Sequence, residues 1–153
     1  MAQARVLTDA ELKRVLAVVA TDRHAARNRV AVMLSFLAGL RVGEMAKLRM
    51  RDVVAGEGTV RDQIALPAGY TKGRESRTVY VSGRLRRELT RYVAALPQDR
   101  PGDRPFLVTQ KGGAFSANTL CQLFGQIYAR AGIDGASSHS GRRWFITQLA
   151  HKG

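Results

Sequence analysis

The sequence predicts a mainly helical α+β fold, and three observations carry that prediction. Six stretches repeat apolar residues at helical spacing. One polar hairpin segment, flanked by short β-prone runs, interrupts them near the middle. No repeat, low-complexity tract or linker divides the 153 residues, which suit a single domain over 1–153.

The elements follow in order. Thr8-Asp9-Ala10-Glu11 reads as a capping box, with Thr8 as N-cap and Glu11 reaching back. Leu12, Val15, Leu16 and Val19 continue that helix. A second helix is expected over 23–38, with Val30, Met33, Leu34 and Leu37 on its apolar face and Gly39 stopping it. A short third helix over 42–49 turns Met45 and Leu48 inward. Asp52-Val53-Val54 reads as a short strand and Ala55-Gly56-Glu57-Gly58 as a turn. Residues 60–66 and 77–81 read as strands around the polar tip Tyr70-Thr71-Lys72-Gly73-Arg74-Glu75-Ser76, so a small antiparallel sheet of about three strands is expected. Helix returns over 84–96 on Leu85, Leu89, Tyr92, Val93 and Leu96. Phe106-Leu107-Val108 is a short extended piece, Ser116 caps a helix running to Ala131, and a last helix begins near His139.

Charge narrows the partner. Lys+Arg number 25 against 12 Asp+Glu, a formal net charge of +13. Such an excess favours a polyanion, and nucleic acid comes first because Lys and Arg neutralise phosphates and release counterions. An RNA-binding structural protein would show the same balance. A membrane is not expected as partner, since no run approaches the roughly 18 apolar residues of a spanning helix. No signal peptide is evident, and the one cysteine, Cys121, cannot form an internal disulfide. These features suit a cytoplasmic protein, nucleoid-associated when bound to DNA. Cys121 lies in the apolar pattern Leu120-Cys121-Gln122-Leu123-Phe124 and reads as buried filler.

Several residues could carry chemistry. Arg41 follows the stop Ala38-Gly39-Leu40 and opens the third helix; its guanidinium can face an anion at that positive helix end, or sit solvated at a bend. Lys72 shares the hairpin with Arg74 and Arg77, a basic arm of the kind that touches phosphates. Arg84, Arg87 and Arg91 fall on one helix face. In Ser137-Ser138-His139-Ser140-Gly141-Arg142-Arg143-Trp144, His139 and Arg142 lie on one face of a helix. A structural histidine is the competing reading there. His24, His139 and His151 have no cysteine or carboxylate at metal-ligand spacing, and no glycine-rich phosphate loop is present, so neither metal nor cofactor is expected.

Together these segments resemble a known family. Ala38-Gly39-Leu40-Arg41-Val42-Gly43-Glu44-Met45 resembles the first arginine box of the tyrosine recombinases, the phage-integrase family. Thr71-Lys72-Gly73-Arg74-Glu75-Ser76-Arg77-Thr78-Val79 is similar to the family's hairpin lysine segment, and His139-Ser140-Gly141-Arg142 to its His-x-x-Arg box. The resemblance spans about 8–153 and implies the catalytic-domain fold of the DNA breaking-rejoining enzymes. It implies double-stranded DNA as partner, with other recombinase protomers on the same DNA. The family's chemistry is site-specific recombination or integration through a 3′-phosphotyrosyl intermediate. By that resemblance Arg41 and Arg142 hold the non-bridging oxygens, where a guanidinium donates two parallel hydrogen bonds. Lys72 is the general acid on the leaving 5′-oxygen, His139 assists proton transfer or holds the phosphate, and Glu44 is an orienting partner. Arg74, Arg77, Arg84, Arg87, Arg91 and Arg143 are expected to face DNA.

The sequence departs from the family pattern in places. Ser140-Gly141 stands where Asp-Leu is frequent, and Arg143 where a histidine is common. The nucleophilic tyrosine follows the third box in the family, whereas Tyr70, Tyr80, Tyr92 and Tyr128 all precede His139. Tyr92 and Tyr80 read as core or sheet packing. The chain is therefore expected to be an incomplete catalytic domain, inactive alone in strand cleavage. The alternative is a non-catalytic DNA-binding remnant or regulator derived from an integrase.

Overall fold

The computed structural model describes residues 4–71, 73, 75–97 and 101–152, with Lys152 in backbone only. Lys72 and Arg74 lie outside the described residues.

Among the described residues the fold is mainly helical, with seven α-helices and one two-stranded antiparallel sheet. Helix α1 (Asp9–Val19) starts at the expected capping box: Glu11 N–H donates to Thr8 Oγ1 at 3.1 Å and Thr8 N–H to Glu11 Oε1 at 2.9 Å. Helix α2 (Ala25–Ala38) is the axis of the molecule. Val30 to Phe36 are buried without interruption, so apolar residues face every direction and α1, α5 and α7 pack around it. Gly39 ends α2 at φ 66°, a left-handed conformation that a Cβ would oppose.

Helix α3 (Val42–Lys47) is shorter than expected because Leu48 turns extended. Its carbonyl accepts from Phe106 N–H at 2.8 Å, and Arg49 bridges Pro105. The apolar piece at 106–108, distant in sequence, thus ends the helix. The segment at 52–54 corrects the sequence reading more sharply. Met50–Val53 is a helical turn, α4, not a strand. Asp52 Oδ2 accepts from Arg49 N–H at 2.8 Å, and this local cap together with the full burial of Val53 outweighs the β-propensity of two valines. The third strand reduces to a single bridge, Val54 with Val60. Two strands remain, β1 (Gln63–Leu66) and β2 (Arg77–Tyr80), pairing Ile64 with Val79 and Leu66 with Arg77.

Helix α5 (Gly83–Ala94) is capped by Ser82, whose Oγ accepts from Leu85 N–H. Helix α6 (Ala117–Arg130) is capped by Ser116 as expected. Cys121 on α6 is exposed, not buried filler: Leu120, Phe124, Ile127 and Tyr128 take the inner face and leave 121 outside it. Tyr92 lies in the core, its hydroxyl donating to Phe106 O, but Tyr80 is 72% exposed on the outer face of β2.

Helix α7 (Ser140–Lys152) crosses α2 at close range. A Cβ at Gly141 would lie 2.8 Å from Ser35 Cβ and 2.9 Å from Phe36 Cδ1, and one at Gly39 would meet the Phe145 ring. Two glycines therefore let the last helix settle against the corner that carries Arg41. Helix propensity favours Gly141→Ala by up to about 1 kcal/mol, whereas overpacking costs roughly 1–3 kcal/mol. Thermal unfolding of Gly141→Ala is expected to show a lower midpoint than the parent; an unchanged or higher midpoint would remove the close crossing as a constraint.

Candidate phosphate-binding site

The site is built at the corner between α2 and α3. The left-handed turn at Gly39 leaves its carbonyl free of the helix ladder, where it accepts from Arg142 Nη1 at 2.7 Å and from Arg77 Nη2 at 3.5 Å. Arg41 then opens α3. Its N–H donates to Glu44 Oε1 at 2.9 Å, the reciprocal half of a capping box, and its own guanidinium stands 3.8 Å from Glu44 Oε2. Glu44 is 1% exposed. A buried carboxylate without partners is costly, and here Arg77 supplies them: Nε donates to Oε2 at 2.9 Å and Nη2 to Oε1 at 2.7 Å.

Two guanidinium groups thus face one carboxylate, and a third, that of Arg142, lies on the neighbouring Gly39 carbonyl. Burial pushes the Glu44 carboxyl up, but the Arg77 fork, the Arg41 N–H and the charges of both arginines prevail and hold it below the usual glutamate value. Burial lowers the Arg142 guanidinium, and the positive charges of Arg41 and Arg77 lower it further, with Glu44 opposing. An anion arriving here relieves that mutual repulsion. A cleft of about 400 Å³ opens beside the cluster, lined by Arg41, Thr71, Gly73, Glu75, Ser76 and Arg77. Thr71 Oγ1 donates to Glu75 O at 2.7 Å and draws the two sides of the hairpin together. A larger groove of about 810 Å³ runs between α1, α2, β2 and α7, but Leu12, Leu16, Phe36, Trp144 and Leu149 make it mainly apolar. Its chemistry does not suit a phosphate.

The structure brings Arg41, Glu44 and Arg142 together. His139 stands exposed just before α7, at a turn closed by Ser137 N–H to Ser140 Oγ at 3.0 Å and His139 N–H to Ser137 Oγ at 3.2 Å. The catalytic-lysine expectation at Lys72, like the DNA-facing one at Arg74, lies outside the described residues. Arg84, Arg87 and Arg91 are exposed on α5; Arg84 borders the larger groove with Arg77, and Arg91 stands 3.9 Å from Glu88, which is itself forked by Arg29. Arg143 is half-buried, and its Nε has no hydrogen-bond partner among the described residues. Sequence reasoning missed the pairing of Arg77 with Glu44 and the shared Gly39 carbonyl. A signal for the first existed: residues 77 and 79 share a strand face, and buried Val79 marks that face as inward. Among the described residues no group of histidine, cysteine and carboxylate side chains could hold a metal, and no helix is long and apolar enough to cross a membrane.

Comparison with known proteins bears on this geometry. The sequence model described as "Phage integrase family" matches residues 5–153. The chain is 30% identical to tyrosine recombinase XerC of Methylobacterium nodulans over 81% of its own length and 37% of that protein's. It is 29% identical to transposase A from transposon Tn554 of Staphylococcus aureus, over 99% of this chain and 42% of that one. Tyrosine recombinase XerA of Pyrococcus furiosus is 28% identical over 96% of this chain and 48% of its own length. The chain thus spans under half the length of these relatives. The crystal structure of XerA recombinase superposes with a TM-score of 0.77 at 24% identity, over 99% of this chain and 53% of that one. The Tn1549 transposon integrase in complex with circular intermediate DNA gives 0.78 at 18%, over 100% and 56%. The described helices and hairpin have the fold of these recombinases.

Glu44 also makes stability depend on pH. Its folded value lies below the ordinary 4.5, so its contribution is present above that value and is lost as pH falls through the depressed one. Denaturant unfolding of Glu44→Gln is expected to show lower stability than the parent at pH 7 and a gap that closes as pH falls below 4.5. A gap independent of pH would show that the Glu44 charge does not support the fold.

Proposed function

Because this chain belongs to the phage integrase family, we propose that it supplies the phosphate-binding part of a tyrosine-recombinase site acting on duplex DNA. The observation that carries this reading is the meeting of the first-box Arg41 and the third-box Arg142 around Glu44 and the Gly39 carbonyl.

In this reading a backbone phosphate enters the arginine-lined cleft. Arg41 and Arg142 hold its two non-bridging oxygens, and their charge grows in value as the transition state gains negative charge there. A tyrosine hydroxyl oxygen attacks phosphorus, gives up its proton to a base such as His139 or to water, and forms the 3′-phosphotyrosyl bond. The P–O5′ bond breaks, and the leaving 5′-oxygen takes a proton from Lys72, the general acid, to become a free hydroxyl. His139, at the solvent-facing start of α7, assists proton transfer. The tyrosine comes from outside these 153 residues. Tyr70 donates to Asp52, Tyr92 to Phe106 O, Tyr128 is buried with its hydroxyl pushed well up by desolvation, and Tyr80 is not among the residues lining the cleft. The exposed arginines of α5, together with Arg143 and Arg74, add contacts along the DNA backbone.

Fluorescence anisotropy with a duplex of about 30 base pairs tests the reading. Arg41→Ala and Arg142→Ala are each expected to weaken binding roughly tenfold and to flatten the slope of log affinity against log salt by about one. Unchanged affinity in both folded variants would overturn the phosphate site. A suicide duplex, incubated with the chain alone, is expected to give no covalent adduct in denaturing gels; an adduct would place the nucleophile inside these residues.

A further inference from the structure

Arg77 was expected on the DNA-facing hairpin, yet its guanidinium is turned inward. Two of its donors lie on Glu44, at 2.9 and 2.7 Å, and one of these also reaches Gly39 O at 3.5 Å. Among the described residues Glu44 is the carboxylate that faces both guanidinium groups, forked by Arg77 and 3.8 Å from Arg41. A carboxylate buried to this degree will take whichever cation is best placed.

Resting on the phosphate-site reading above, we propose that Arg77 is a positioning residue: by occupying Glu44 it keeps that carboxylate from capturing Arg41, and so leaves Arg41 and Arg142 free to hold the phosphate. The geometry supplies the reason for arginine at this place. Its planar fork matches both carboxylate oxygens at once, which the point charge of a lysine cannot do. The fork also donates to Oε2, the oxygen nearest the Arg41 guanidinium, while Oε1 is shared with the Arg41 N–H that starts α3. One ion pair thus neutralises Glu44, fixes the helix start, and joins β2 to the corner whose carbonyl holds Arg142. The charge arithmetic agrees: Glu44 cancels Arg77, and the charges of Arg41 and Arg142 remain for an anion.

The test is a rescue in the duplex-binding assay. Arg77→Gln is expected to weaken binding by more than about tenfold, because Glu44 then pairs with Arg41. Adding Glu44→Gln removes the captor and leaves net charge as in the parent, so the double variant is expected to bind several-fold tighter than Arg77→Gln, though not as tightly as the parent, with the parental salt slope. A direct phosphate contact by Arg77 predicts the opposite: the double variant stays as weak as Arg77→Gln, and the slope falls by about one. If Arg77→Gln fails to fold, the double variant alone still decides between these outcomes. Arg77→Lys adds a second measurement, since it keeps the charge and loses the fork. Weakened binding supports positioning and parental binding overturns it. If Arg41→Gln and Arg142→Gln weaken binding while the double variant does not recover, the role of Arg77 falls alone; if neither weakens binding, the phosphate-site reading falls with it.

Discussion

The site depends on one buried carboxylate. Glu44 is almost wholly withdrawn from water, and an ionised carboxyl there persists only where donors replace its hydration. The donors come from separate parts of the chain: the N–H of Arg41 at the start of α3 and the guanidinium of Arg77 on β2. The requirement to satisfy Glu44 therefore fixes where the hairpin sits relative to the helical body. It also fixes how many positive charges remain unpaired. At this corner the fold gathers more guanidinium groups than one acid can neutralise, and on that surplus the proposed phosphate site rests.

The second constraint is steric. Helix α7 brings Arg142 to the Gly39 carbonyl because Gly141 lets it lie close against Ser35 and Phe36, and Gly39 leaves room for Phe145. The tilted packing of Phe36 on Trp144, with ring centroids 5.6 Å apart, completes the contact. Gly39 serves twice. Its left-handed backbone ends α2, and the same turn exposes the carbonyl that Arg142 and Arg77 share. Apolar packing and polar convergence are thus two consequences of one helix corner.

Much of the fold was legible because its punctuation is local. The box at Thr8 and Glu11, the cap at Ser116 and the stop at Gly39 satisfy backbone groups within four residues of themselves, so the chain announces them without its tertiary partners. Where partners come from afar, the reading failed. Leu48 left its helix because Phe106 N–H claimed its carbonyl, and the third strand came down to one bridge because 52–53 are held in a helical turn. Cys121 looked apolar by neighbourhood, yet the helical phase that buries Leu120 and Phe124 turns it outward. Arg77 was grouped with the basic hairpin by charge, although strand alternation placed it on the inner face.

By itself the sequence determined the helical plan, the central hairpin, the polyanion-seeking charge and the membership of the phage integrase family. These are properties of neighbouring residues: spacing, caps, composition and motif. Only the tertiary structure decided that Arg41 and Arg77 meet at Glu44 beside the Gly39 carbonyl that holds Arg142, and that Arg77 faces the acid and not the solvent. The reason is physical. The partner of a buried charge is chosen by proximity in space and by the cost of leaving that charge bare, and neither quantity is written in the order of the residues.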